Sequence, residues 1–204
     1  MATRGRLGLK IHLWTMKPWC WVTFAMVAAL ALTASVELAM GRLLLGPNGK
    51  FGWWEGNIWS NENSQRFADP YSITHILHGM MFYLLLWLLA RGLPARYRFL
   101  IAVLMEAVWE ITENSPWIIN RYREVTISLG YVGDSVINSL SDVLMMALGF
   151  LIAMRARIRI SVIFVVVVEL GMLLWVRDNL TLNRVMLVHP IESIKQWQLG
   201  GQPK

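Results

Sequence analysis

Cysteine and charge are both scarce in this sequence. Cys20 is the one cysteine among 204 residues, so no disulfide can form within the chain. We expect Cys20 to be a free buried thiol. Charged residues make up 16% of the chain and hydrophobic residues 56%, whereas an ordinary soluble domain has roughly 25% charged residues. These proportions argue against a water-soluble globular protein.

The short motifs of well-known metalloenzymes are also missing. The sequence has no His-Glu-x-x-His motif, no Glu-x-x-His pair and no cysteine cluster. Its net charge of +6 would suit nucleic acid only if lysine and arginine gathered into a patch or stripe. Here they flank the apolar runs instead, so we predict no nucleic-acid partner.

Long apolar runs are what the sequence does contain. The first, over 19–36, has no charged residue and is about as long as a helix that crosses a ~30 Å hydrocarbon core. The pattern predicts an all-α integral membrane bundle of about five transmembrane helices in a single membrane domain, 1–204. The predicted segments are spans over about 19–40, 71–90, 99–117, 134–154 and 160–176, an outer loop over 41–70, and an interfacial tail over 177–204.

The basic residues predict the orientation of these spans. The short connections 91–98 and 155–159 contain six arginines between them, and segment 1–17 contains four lysines or arginines. Cytoplasmic loops of membrane proteins carry an excess of lysine and arginine. We therefore expect the N-terminus and both short connections to be cytoplasmic, and the loop 41–70 and the tail to face outward.

Ionisable side chains interrupt three of the predicted spans. Such residues are costly in lipid unless they face protein or water, so each one is a functional hypothesis. They are His75 and His78 in the second span, Glu106, Glu110 and Glu113 with the adjoining Asn114 in the third, and Asp134, Asn138 and Asp142 in the fourth.

The three groups of polar residues are predicted to lie at similar depths in the membrane. At ~1.5 Å per residue, counted from the side on which each span enters, most of them lie about 5 to 12 Å below the same outer face. Glu106 lies deeper, near the middle. Because neighbouring spans run in opposite directions, this coincidence predicts one shared pocket that opens outward.

Some of these acids also have structural interpretations. Asp69 before Pro70 is typical of a helix N-cap followed by proline at the first helical position. Asp134 could cap the fourth span in the same way, and Glu106 could be protonated and merely hydrogen-bonded. Two isolated acids are predicted to pair locally: Glu37 and Glu169.

The polar residues carry a resemblance to a known family. They fall into two signatures, which are Asn63, Ser64, Gln65, Asp69, Tyr71, Ser72, His75, Ile76, His78 and Gly79, and then Glu106, Trp109, Glu110, Glu113, Asn114, Ser115, Pro116, Arg121, Tyr122, Arg123, Gly133, Asp134, Ser135, Asn138, Ser139, Asp142, Gly149 and Phe150. Nearly the whole chain resembles uncharacterised protein family 0314 (domain of unknown function 2585), bacterial multi-pass inner-membrane proteins. A looser similarity links it to VanZ-like membrane proteins. The resemblance implies the bacterial inner membrane but supplies no activity.

The first functional hypothesis is a metal-assisted hydrolase or transferase that acts on a lipid headgroup or lipid-linked envelope precursor. Histidine and carboxylate groups suit Zn, Mn or Fe, and a bound metal activates water near neutral pH. The assigned residues are His75, His78, Asp134 and Asp142 as metal ligands, Glu110 or Glu113 as general base, and Asn114, Asn138, Arg121 and Arg123 as substrate-binding groups, with the arginines holding a phosphate.

Two further hypotheses stay open. The same polar stripes could serve a binding or transport protein that conducts protons or a cation. They could instead form a polar network that specifies helix packing in a non-catalytic assembly protein with an envelope protein partner. Membrane lipid surrounds the protein in every case, and the sequence does not predict the oligomeric state.

Overall fold

The computed structural model describes residues 18–202, and the regular secondary structure in that part of the chain is entirely α-helical, without a β-strand. The helices are α1 (Pro18–Ala39), α2 (Ser72–Leu89), α3 (Ala95–Glu113), α4 (Pro116–Val125), α5 (Val136–Arg155), α6 (Ile158–Val176), α7 (Leu180–Val188) and α8 (Glu192–Leu199). Four of them, α1, α2, α5 and α6, are long and apolar enough to cross a membrane. The predicted all-α membrane bundle is thus confirmed. The basic segment 1–17, used to predict a cytoplasmic N-terminus, lies outside the described residues.

Helix α3 differs most from the predicted spans. It has 19 residues and packs against α1, α2 and α5, but its arginines and glutamates make it less apolar than the other four long helices. It also ends at Glu113, four residues before the predicted end of the span. Pro116 accounts for this early end, because a proline disfavours helical geometry in the preceding residue. Ser115 is extended there, and its hydroxyl accepts a hydrogen bond from Ile118 N to cap α4.

The closest packing in the bundle lies between α2 and α5. A Cβ atom added to Gly79 would lie 1.9 Å from the carbonyl oxygen of Met146, and one added to Gly149 would lie 1.9 Å from that of Ile76. The two backbones are therefore in direct contact, as small residues allow in membrane helices. This contact fixes the separation of two helices that both carry predicted site residues.

An apolar core lies between α1, α3 and α5. Phe150 and Met146 of α5 are fully buried and pack in one cluster with Val103 of α3 and Val22 of α1. The outer faces of α1 and α6 are exposed instead, which suits contact with lipid. Cys20 lies on such an exposed face, so the expectation that its thiol is buried within the protein is wrong.

The loop 41–70 folds onto the start of α5. The first amides of a helix have no partner inside that helix, and here carbonyl groups of the loop accept their hydrogen bonds. The pairs are Ser135 N to Ser64 O, Val136 N to Leu43 O, and Ile137 N to Leu44 O. The proposed capping role of Asp134 is therefore wrong, since Ser135 is the N-cap residue and the Asp134 carboxylate accepts from the Tyr131 hydroxyl.

Two other acids accept hydrogen bonds from amides at the start of a helix. Oδ1 of Asp69 accepts hydrogen bonds from Tyr71 N and Ser72 N at the start of α2. Glu169 of α6 accepts hydrogen bonds from Leu180 N and Thr181 N with its two carboxylate oxygens, which satisfies the first amides of α7. Asp69 therefore satisfies amides at the start of α2, but the N-cap residue is Tyr71 and the helix begins at Ser72, so the prediction of Asp69 as the N-cap residue with Pro70 at the first helical position is wrong. The local pairing of Glu169 is confirmed.

The tail folds back over one end of the bundle through a buried aspartate. Asp178 follows α6, and its Oδ1 accepts hydrogen bonds from Gln198 Nε2 of α8 and from Asn179 N, while Tyr71 OH donates to Oδ2. Asp178 is 2% exposed. Burial raises the pKa of its carboxyl group to about 6, although the hydrogen bonds oppose this shift.

We expect Asp178 to make the protein less stable as the pH rises. Its pKa is 3.8 ordinarily and about 6 in the folded protein, so the folded state holds the proton more tightly than the unfolded chain. The free energy of unfolding should therefore fall between about pH 4 and pH 6. Asp178→Asn should remove this dependence and stabilise the protein by up to roughly 3 kcal/mol above pH 6. Thermal unfolding of both proteins in detergent at low and neutral pH checks it, and parallel pH profiles would contradict it.

Candidate functional site

A buried cluster of acids surrounds His75. Its Nδ1 atom lies 2.5 Å from Glu106 Oε1 and 3.4 Å from Glu110 Oε1, and its Nε2 atom lies 3.7 Å from Asp142 Oδ2. The histidine comes from α2, the glutamates from α3 and the aspartate from α5. The predicted convergence of acids and imidazoles from separate helices is confirmed.

His78 has both of its ring nitrogens engaged. Its Nδ1 atom lies 2.9 Å from Glu106 Oε1, and its Nε2 atom lies 2.9 Å from a terminal nitrogen of Arg184. A guanidinium group only donates hydrogen bonds, so Nε2 accepts from Arg184 and Nδ1 carries the proton that it donates to Glu106. In this arrangement His78 has no free lone pair for a metal ion.

Two groups in residues 18–202 bring three candidate metal ligands together within 4.8 Å: His75 with His78 and Glu106, and His75 with Glu110 and Asp142. In the first group, the Nδ1 atoms of both histidines hydrogen-bond to the Glu106 carboxylate, and His78 Nε2 is occupied by Arg184. Glu110 in the second group is fully buried, and neither carboxylate oxygen has a hydrogen-bond partner. Asp142 Oδ1 has none either. The second group is therefore the stronger candidate for a cation.

A cavity of about 400 Å³ lies beside this cluster, at the end of the bundle formed by the loop 41–70 and the tail. Its lining combines ionisable groups with tyrosines and amides from five helices and the loops between them. The ionisable or amide residues predicted for the site that line it are His75, Glu113, Asp134, Asn138 and Asp142. The other members of the cluster, Glu106, Glu110 and His78, are not part of this wall.

Carboxyl groups outnumber basic groups in this region. Six carboxyl groups lie in or beside the cavity, against one arginine, Arg184, and two imidazoles; they are Asp69, Glu106, Glu110, Glu113, Asp134 and Asp142. Burial raises the pKa of Asp134 well above its ordinary value, and the Glu113 charge raises it further. Burial likewise raises the pKa of Asp69. Cations or protons must compensate the remaining charge.

Asn114 lies in a network between helices rather than in the cavity wall. Its Nδ2 donates to Ser139 Oγ at 3.0 Å and to Glu37 Oε1 at 3.4 Å, and its Oδ1 accepts from Asp134 N at 2.7 Å. These bonds join α1, α3 and α5, and they give Glu37 the local partner that the sequence predicts. Asn114 therefore bridges three helices and is not among the residues that line the cavity.

The two arginines predicted to bind phosphate are not among the residues that line the cavity. Arg121 Nε donates to the carbonyl oxygen of Leu187 at 3.0 Å, and Arg123 Nε donates to that of Tyr131. Arg184 lines the cavity instead. Sequence reasoning missed this residue, although a single basic side chain within the apolar stretch of α7 is a signal that could have found it.

Glu106 is the other residue whose importance the sequence understated. Its structural interpretation as a hydrogen-bonded acid agrees with the structure, and its partners are the Nδ1 atoms of two predicted metal ligands, His75 and His78. Carboxylates that accept from the Nδ1–H of a metal-binding histidine fix its orientation and leave Nε2 free for the metal. The His75 Nε2 atom is the one directed toward Asp142.

The helices and the buried polar cluster define an integral membrane protein with an intramembrane acidic site. The chain belongs to the family described as "Protein of unknown function (DUF2585)", whose family model matches residues 37–200. It is 46% identical over 182 residues to a UPF0314 protein of Sinorhizobium fredii, covering 89% of this chain and 92% of that protein.

Other relatives agree with this assignment. A UPF0314 protein of Rhizobium meliloti is 48% identical over 176 residues, covering 86% of this chain and 89% of the relative. One of Sphingopyxis alaskensis is 48% identical over 178 residues, covering 85% and 93%. No solved structure matches the chain. The looser similarity to VanZ-like proteins is not shown by these comparisons and stays a prediction.

Proposed function

We propose that the chain is a divalent-metal-dependent hydrolase or transferase of the bacterial inner membrane. Its substrate would be a lipid headgroup or a lipid-linked envelope precursor. The observation that carries this proposal is the state of Glu110, a fully buried carboxylate without a hydrogen-bond partner beside His75 and Asp142. A buried carboxylate that accepts no hydrogen bond is costly, and a divalent cation would compensate its charge together with that of its neighbours.

The geometry supports a distinct role for each member of the cluster. The imidazole of His75 and the carboxylates of Glu110 and Asp142 are the proposed ligands. Glu106 contacts His75 Nδ1 and would orient the ring with Nε2 toward Asp142. One imidazole nitrogen with carboxylate oxygens suits Zn, Mn or Fe. Asp134 lines the cavity but belongs to neither group of candidate ligands, so we leave it out of the proposed ligand set.

Glu113 is the proposed general base. It lies one helical turn beyond Glu110, lines the cavity, and has one carboxylate oxygen, Oε2, without a hydrogen-bond partner. A base in this position can take a proton from water in the cavity while the metal polarises the reacting group. Glu110, behind the cavity wall, is better suited to hold the metal than to meet a substrate.

The proposed orientation follows from the basic connections 91–98 and 155–159. Both lie at the end of the long helices opposite the cavity, and such arginine-rich loops face the cytoplasm. The cavity would then open toward the outer leaflet. This direction suits a substrate that is presented by the headgroup region of the membrane.

A second candidate is a non-catalytic role in which the polar groups specify helix packing. The Asn114 network favours it, because that one side chain joins α1, α3 and α5 through hydrogen bonds to Glu37, Ser139 and Asp134. Such bonds position membrane helices without any chemistry. They do not account for the unpartnered oxygens of Glu110.

The metal content of the purified protein tests the proposed function. We expect protein prepared without a histidine tag to hold one divalent metal per chain by mass spectrometry. His75→Ala should lose it, because the imidazole is the one nitrogen ligand. His189→Ala is the matched control, since His189 is exposed in the tail and should leave the metal content unchanged.

Two results would overturn the metal-dependent function. One is a wild-type protein without stoichiometric metal after purification and after incubation with Zn, Mn or Fe. The other is equal metal content in His75→Ala and the wild type, which would place the ion elsewhere.

A further inference from the structure

Arg184 is held in a fixed orientation beside the cavity. Its guanidinium carbon lies 4.0 Å from the centre of the Trp109 ring, so the planar group is over the indole. One terminal nitrogen lies 2.9 Å from His78 Nε2. The indole and the imidazole together fix both the plane and the rotation of the guanidinium group, which is the pre-organisation that makes arginine a good anion-binding residue.

The other terminal nitrogen of Arg184, Nη1, has no hydrogen-bond partner although it is shielded from solvent. No carboxylate among residues 18–202 lies within ion-pair distance of this guanidinium group. A buried unpaired donor on a charged group costs free energy. An arginine in an acid-rich region that pairs with none of the acids has its charge available for a bound anion.

We propose that Arg184 binds a phosphoryl group of the ligand, a proposal that rests on the metal-dependent function above. A phosphoryl group carries more negative charge than one arginine neutralises, and the acidic wall would repel it. The metal held by His75, Glu110 and Asp142 supplies the second cation, so the phosphoryl group is placed between the two. Arginine and a metal ion are a common pair for this task.

The binding of small phosphorylated probes tests this role. We would titrate the manganese-loaded protein in detergent with inorganic phosphate and with dihexanoyl phosphatidic acid, and use dihexanoylglycerol as the lipid without a phosphoryl group. We expect Arg184→Gln to weaken binding at least about tenfold, as loss of a charge-assisted hydrogen bond predicts. Arg157→Gln and Arg159→Gln are the matched controls, because both arginines are exposed in the connection at the opposite end of the bundle, and binding should stay within about twofold of the wild type.

The two probes distinguish the sources of the phosphoryl group. Binding of phosphatidic acid alone identifies a lipid headgroup, and binding of both probes identifies a site that also accepts free phosphate; either supports the proposal. Equal binding by Arg184→Gln and the wild type would overturn it. So would dihexanoylglycerol binding as tightly as phosphatidic acid, or no binding of either phosphorylated probe to the wild type.

Metal content separates this inference from the proposed function. Arg184→Gln should keep its manganese while it loses phosphate, whereas His75→Ala should lose both. If the wild type binds no metal, the proposed function fails, and phosphate binding that depends on Arg184 in the metal-free protein still upholds the arginine site. Arg184→Lys is a control for misfolding, because it keeps the positive charge but loses the guanidinium fork. Its affinity for phosphate should be intermediate between those of the wild type and Arg184→Gln.

Discussion

Gly149→Ala is expected to destabilise the protein severely. The added methyl group would lie 1.9 Å from the Ile76 carbonyl oxygen. The clashing atoms belong to the backbone of Ile76, so the clash cannot be relieved by moving a flexible side chain. Helices α2 and α5 must therefore separate, at a cost of about 3 kcal/mol or more. Thermal unfolding in detergent should show a large decrease in Tm. Because His75 and Asp142 lie on these two helices, the variant should also lose metal.

Gly171→Ala is the matched control for this effect. Gly171 is a helical glycine in α6, and an added Cβ atom there meets nothing within 4 Å. Its replacement should leave Tm unchanged or raise it slightly, since alanine favours a helix over glycine. A similar Tm for the two alanine variants would show that α2 and α5 are not packed backbone to backbone.

Glu110→Gln is expected to abolish metal binding without unfolding the protein. The amide keeps the shape of the carboxylate but removes its charge, so metal affinity should fall at least about a hundredfold. The metal-free variant should be as stable as the metal-free wild type, or more stable, because a buried carboxylate that accepts no hydrogen bond has been replaced by a neutral group. Metal titration and Tm measured on the same samples check both expectations.

Glu124→Gln serves as the control, because Glu124 is an exposed glutamate on α4 and its replacement should change neither quantity. The packing role makes the opposite prediction for Glu110→Gln. A large loss of stability in the metal-free variant, with metal binding unchanged, would favour a structural network over a metal site.

The long helices and their shared site were accessible from the sequence. Apolar runs of 17 or more residues locate α1, α2, α5 and α6 within a few residues, because lipid requires such runs. The rise per residue then places His75, Glu110 and Asp142 at a common depth, and the structure brings those three side chains together. Depth along the helix axis was sufficient because an α-helix has a regular rise per residue and consecutive spans run in opposite directions.

The sequence did not reveal what the segments between the long helices do. The helices α4 and α7 are short and carry mixed polar and apolar residues, so they give no membrane-length signal. Their position depends on tertiary contacts such as the Glu169 carboxylate at the start of α7. For this reason the sequence predicted Arg121 and Arg123 at the site, whereas the structure has Arg184 in the cavity wall. The distance of each arginine from the site depends on how its short helix packs against the long ones.

The metal position in crystals of the manganese-loaded protein tests the central claim most directly. Anomalous scattering should show one manganese ion bonded to His75 Nε2 and to carboxylate oxygens of Glu110 and Asp142, with Glu106 accepting from His75 Nδ1. An ion bonded to His78 and Glu106 instead, or no ion among these side chains in protein that retains manganese, would contradict it.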